Sequence, residues 1–143
     1  MFYEQRMQAP DSPASLRAEY DEDLREAVDA VGLETAADTT SVDADQLEAL
    51  LDLEGESPDL DLEEAAEVQA LAEGTPDPDT IVEMACEHLL LGMTTAVLDV
   101  DSLAGELEID LDAKEVQQKI ERRAPMSFDE FVHVQHVIAS GSP

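Results

Sequence analysis

An all-α fold, a compact helical domain of two similar units around a central apolar helix, is what this sequence predicts. Three observations carry the prediction. Apolar residues recur at three- and four-residue spacing along most of the chain, and no stretch alternates with the period of two that a half-buried strand needs. Cap residues followed by glycine or proline divide those apolar runs into helix-sized pieces. Low hydrophobicity with high net charge usually means disorder, but 43% of the 143 residues are apolar and fall on helical stripes, enough to bury a core.

Residues 1–12 are expected to be a flexible N-terminus. Ser12-Pro13 then reads as an N-cap with proline at the first helical position, Leu16, Tyr20, Leu24, Val28 and Val31 form one stripe, and Gly32 ends the helix. A helical turn is expected near Thr35 to Thr39. Asp43 caps a helix with Leu47, Leu50 and Leu51 inward that ends near Gly55, and Asp61 caps another running toward Gly74. These elements make a first unit, residues 13–74.

Pro76-Asp77-Pro78-Asp79 is expected to be a rigid connector, and the most apolar helix of the chain begins at Thr80. Ile81 through Leu98 leaves almost no polar face after His88, so it should be buried on most sides, as a central rod or a dimer seam. Gly92 within it costs up to about 1 kcal/mol relative to alanine, which suggests a close backbone approach. Leu103 to Leu107, Asp112 to Arg123 and Ser127 to Ala139 supply three more helices, completing a second unit, 79–139. Residues 140–143 are expected to be a flexible C-terminus.

The net charge of −29 is distributed unevenly. From Glu26 to Ala113 there is no lysine or arginine, although most of the 36 carboxylates lie there. Such a chain repels itself across a Debye length of about 8 Å at physiological salt, which shrinks to about 3 Å at molar salt. With two lysines against five arginines and no tryptophan, the composition points to a halophilic protein. Only Cys86 carries a thiol, so there is no internal disulfide and no cysteine-rich zinc site. The first residues lack the pattern of a signal peptide, and the longest uncharged stretch, Leu89 to Leu98, is half a membrane span. A cytoplasmic protein with no membrane partner is expected.

The two units align. Val42-Asp43-Ala44-Asp45-Gln46-Leu47 lies over Leu111-Asp112-Ala113-Lys114-Glu115-Val116, and Leu51 over Ile120. After a three-residue shortening, Leu62-Glu63-Glu64-Ala65 lies over Phe128-Asp129-Glu130-Phe131, and Val68-Gln69 over Val134-Gln135. Two capped amphipathic helix pairs look alike for generic reasons as well, so the alignment alone does not establish an internal repeat.

Each unit resembles the DNA-binding domain of the lambda-repressor and Cro type, a helix-turn-helix family. In the first, Ala37, Ser41-Val42-Asp43 and Leu47 carry the resemblance; in the second, Leu103-Ala104, Ile120-Glu121-Arg122, Pro125 and Ser127 to Phe131 do. Ser41 stands where the family usually has glycine, Glu108 takes the other turn glycine position with two extra residues, and Arg123 replaces the closing glycine. The resemblance implies two tandem helix-turn-helix-like units. As a whole, with residues 89–101 and Gln117 to Glu121, the chain also looks like a small acidic haloarchaeal family, which implies a lineage and no activity.

Burial of Ala113, Val116 and Ile120 should leave Lys114, Gln117, Gln118 and Glu121 in water, whereas the matching positions of the first unit are Asp45, Glu48, Ala49 and Asp52. Glutamine reads an adenine edge and Lys or Arg binds phosphate or guanine, so a DNA-binding surface, if there is one, is Lys114, Gln117, Gln118, Lys119, Arg122 and Arg123. The same charges are also consistent with a salt-bridged helix face, such as Glu115 with Lys119. Two functions therefore stand: a DNA-binding transcriptional regulator acting through the second unit, or a non-enzymatic protein-interaction module with no DNA binding, dimerising through the Met84 to Leu98 helix.

Asp129, His133 and His136 share one helix face, but a metal site needs a further ligand and a supporting shell, so an Asp–His contact on a polar face is expected and no metal. The aspartate pairs at 59 and 61, 77 and 79, and 99 and 101 lack the glycine and terminal glutamate of a calcium loop and serve as caps. No phosphate-binding glycine loop or nucleophile elbow occurs, so no enzyme, cofactor or small-molecule substrate is expected.

Overall fold

In the computed structural model, which describes residues 1–141, eight helices and no strand make one compact all-α domain. They are α1 (Pro13–Val31), α2 (Leu33–Thr39), α3 (Ala44–Leu51), α4 (Leu62–Gln69), α5 (Pro78–Ala96), α6 (Val100–Glu106), α7 (Ala113–Ile120) and α8 (Phe128–Ser140). In order, their lengths are 19, 7, 8 and 8 residues and then 19, 7, 8 and 13.

Local chemistry sets these boundaries. Ser12 and Asp77 accept from the backbone N–H three residues on, and each precedes a proline that starts the helix. Asp43, Asp61, Asp112 and Ser127 each form a reciprocal capping box with Gln46, Glu64, Glu115 and Glu130. Gly32, at φ 90°, ends α1 and at once begins α2, a backbone that a side chain would strain. Where the sequence suggested a rigid connector, Pro78 and Asp79 are the first turn of α5, because proline loses nothing at a helix start.

Helices α1, α4, α5 and α8 pack on one another around a single continuous core; α2 and α3 lie against α1, while α7 rests on α5 and α6 on α8. At the centre the two capping turns meet. Leu62 N–H donates to Met126 O at 2.9 Å and Phe128 N–H to Leu60 O at 2.7 Å, an antiparallel bridge between Asp61 and Ser127 that satisfies helix-start groups from both sides. Gly92 lies where α5 meets α8: a Cβ there would be 2.6 Å from Ile138 Cγ2, which is the close approach its position suggested.

Two expectations are corrected. The segment 1–12 is not loose: Phe2 is fully buried, edge-on to Phe128 and Phe131, and its carbonyl accepts from Gln135 Nε2 at 3.2 Å. Arg17 and Asp21, both buried, tie α1 to the loop before α4, with Arg17 donating to Pro58 O at 2.6 Å. Nor is α5 covered on most sides. Ile81, Val82, Ala85, Cys86, Leu89 and Met93 face the core, but Leu90, Leu91 and Val97 remain 47%, 48% and 89% exposed, because α4, α7 and α8 all approach from one side. At the other end, Ser140 closes α8 and Gly141 caps it, while residues 142 and 143 of the expected flexible C-terminus lie outside the described residues.

Candidate functional site

Helix α7 is held by Asp112 at its start and by Val116 and Ile120 buried beneath it. That registers Lys114, Gln117 and Glu121 into solvent, with Gln118 half-buried beside them. The other candidates leave this face. Lys119, on the next stripe, reaches across the turn into α8, and its ammonium donates to Pro125 O and to Glu130 Oε1, both at 2.9 Å. The anticipated pairing with Glu115 is not made, since that carboxylate is turned back onto Asp112 N–H as part of the capping box.

Beyond Ile120 the chain turns sharply at Arg122, at φ 65°, a left-handed conformation uncommon outside glycine. The turn carries exposed Arg122 and Arg123 toward a groove of about 340 Å³ between α4, α5 and the α7–α8 loop, floored by Val82, Cys86 and Met126 and rimmed on the far side by Asp61 and Glu63. Arg123 Nε lies 4.0 Å from Glu121 Oε1 on an exposed surface, a contact of little energetic weight. So the six candidate positions divide into a polar α7 face of Lys114, Gln117 and Gln118 and a groove wall of Lys119, Arg122 and Arg123, with one of the three wall cations already neutralised.

Burial pushes the Cys86 thiol above its ordinary value, only partly offset by the positive charge of Arg122, so this cysteine is a poor nucleophile. Burial by itself would raise the Glu130 carboxyl, but the Ser127 N–H and the Lys119 ammonium outweigh it and hold Glu130 below the ordinary carboxylate value.

The sequence matches a family of unknown function, DUF5791, over residues 16–141. The chain belongs to that family. No curated protein and no solved structure matches it. The family's matched span covers every helix from the first turn of α1 to the cap of α8, and so includes both the α7 face and the groove.

The Asp129, His133 and His136 face is occupied by backbone. His133 Nδ1 lies 2.9 Å from Asp129 O and 3.6 Å from its carboxylate, and His136 Nε2 lies 2.7 Å from Pro10 O. Among the described residues no group of three His, Cys, Asp or Glu side chains is placed to hold a metal ion, and no single helix is long and apolar enough to cross a membrane. Sequence reasoning missed the part played by residues 1–12. His88 Nδ1 meets Tyr3 O at 2.7 Å, so two of the three histidines hold carbonyls of that segment. The one signal was Phe2 itself, one of only three phenylalanines in the chain.

Proposed function

We propose that this chain is a non-enzymatic helical interaction module of a salt-loaded cytoplasm, and that it pairs with a second copy through the C-terminal half of α5. The observation that carries the reading is the exposed apolar surface of Leu90, Leu91 and Val97, gathered at one end of a helix on a chain of net charge −29. Single exposed apolar residues are ordinary, but a cluster on one helix end marks a contact surface. Val97 adds strain to exposure, since a β-branched residue at φ 56° is disfavoured where glycine or asparagine would end the helix freely.

Charge favours a two-fold crossing at this end. The outward stripe of α5 continues toward its start through Glu87 and Glu83, so a crossing at Leu90 to Val97 keeps the acidic halves of the two copies apart. Concentrated salt screens what repulsion remains. Light scattering in molar potassium chloride tests this: the wild type should be dimeric and the Leu90→Glu/Leu91→Glu variant a folded monomer. A wild type that is monomeric at all concentrations removes the proposal.

The second reading, a DNA-binding regulator, is favoured by the exposed Lys114 and Gln117 with Gln118 along one face of α7, clear of the groove. It is accompanied by the proposal that the halves are copies of one helix-turn-helix-like unit, supported by the matching run of 19, 7 and 8 residues and by the corresponding caps Ser12 with Asp77 and Asp43 with Asp112. Counterion release contributes little at molar salt, so affinity would rest on the glutamines. Selection from a random DNA pool in concentrated potassium chloride should enrich a motif that the Lys114→Glu/Gln117→Glu variant no longer retains; no enrichment leaves the interaction module alone.

A further inference from the structure

We propose that the stretch from Lys119 to Glu130 is a cation-binding loop whose cation is its own lysine ammonium. Calcium loops of the helix–loop–helix type run for twelve residues and draw oxygens from positions 1, 3 and 5, from the backbone carbonyl of position 7 and from a glutamate at position 12. Counted from Lys119, position 3 is Glu121, position 7 is Pro125 and position 12 is Glu130. The Lys119 ammonium sits on the position-7 carbonyl and on the position-12 carboxylate, 2.9 Å from each. Lys119 and Arg123 occupy positions 1 and 5, so positive groups stand at two places where ligands would come from.

The surroundings match a paired loop rather than an isolated salt bridge. Glu130 also closes the capping box of α8, so the same carboxylate orients the exiting helix and receives the cation. The companion loop between α3 and α4 is joined to it by the Asp61–Ser127 bridge, and there too a side chain of the preceding helix serves the carbonyl two residues before the cap: Gln46 Nε2 donates to Asp59 O at 2.6 Å. The loop departs from a calcium loop in its course, taking its positive-φ turn at Arg122, position 4, and carrying Ala124 where position 6 is glycine. A tethered ammonium is never released, so Lys119 holds the turn between α7 and α8 without a divalent cation and the turn does not respond to one.

The test restores the ligands and supplies the ion. In the full chain, Lys119→Asp with Arg123→Asp should gain a calcium-dependent rise in melting temperature of at least about 5 °C beyond the shift of the wild type, with one calcium bound per chain by titration calorimetry. The wild type provides the baseline for diffuse binding to the acidic surface, and adding Glu130→Gln to the double variant should return it to that baseline. A double variant that responds to calcium no more than the wild type, that keeps its response after Glu130→Gln, or that stays unfolded at millimolar calcium overturns the proposal.

Discussion

Arg17 donates from α1 to Asp21 on its own helix and to Pro58 O in the loop before α4, and its guanidinium stacks 4.9 Å above the Phe128 ring of α8. Asp21 in turn accepts from the Ser57 hydroxyl. Removing one member of a buried pair leaves the other charge uncompensated, so Arg17→Met should cost about 3 to 5 kcal/mol in urea unfolding, and Arg17→Met/Asp21→Leu distinctly less than that. Gln69 and Gln135, aligned in sequence, behave oppositely. Gln135 joins the Tyr20 hydroxyl to Phe2 O, whereas both amide atoms of the fully buried Gln69 lack a partner. Gln69→Met should therefore raise stability by about 1 to 3 kcal/mol and Gln135→Met lower it, measured the same way. The sequence aligned the two glutamines but did not show their partners, because Phe2 lies 133 residues from Gln135 and no local pattern announces that contact.

At the scale of elements, caps were the legible part. Ser12, Asp43, Asp61, Asp112 and Ser127 start helices where the sequence placed them, since a capping side chain acts on its own next turn. Ends were less legible. Helix α3 stops at Leu51 and α7 at Ile120, earlier than expected: Asp52 N–H closes back on Glu48 O, and after α7 the left-handed Arg122 lets Arg123 N–H donate to Gln118 O at 2.8 Å, an ending that no glycine announces. The same limit hid the groove: Lys119, Arg122 and Arg123 are near-neighbours in sequence, but their facing wall comes from α4 and α5. The α8 start also makes stability depend on acid. Glu130 has a folded value below its ordinary 4.5, so its contribution is complete above that value and is lost as the pH falls through the lower, folded one. Glu130→Gln should be less stable than the wild type at neutral pH, and the gap should close on acidification below about pH 4.5, by chemical unfolding at a series of pH values.

For the molecule as a whole, a charge of −29 sets the conditions under which the fold persists. The surface has few cations to offset its carboxylates, so the unfolding midpoint should climb steeply with potassium chloride up to the molar range, and more with that salt than with an uncharged osmolyte. A midpoint insensitive to salt would show that the carboxylates are already accommodated. The all-α class was legible because periodicity is a property of each segment; which face of α5 would remain bare was not, because that depends on where the other helices pack.

The buried Phe2 has a consequence for how the molecule forms. Its pocket is built by Tyr20 near the beginning and by Phe128, Phe131 and Gln135 near the end. Closing a loop that long costs chain entropy, which no local contact along the way returns. The opening segment must therefore wait, unsheltered, until the last helix exists to receive it, so the step that seals the core joins the two most distant parts of the chain.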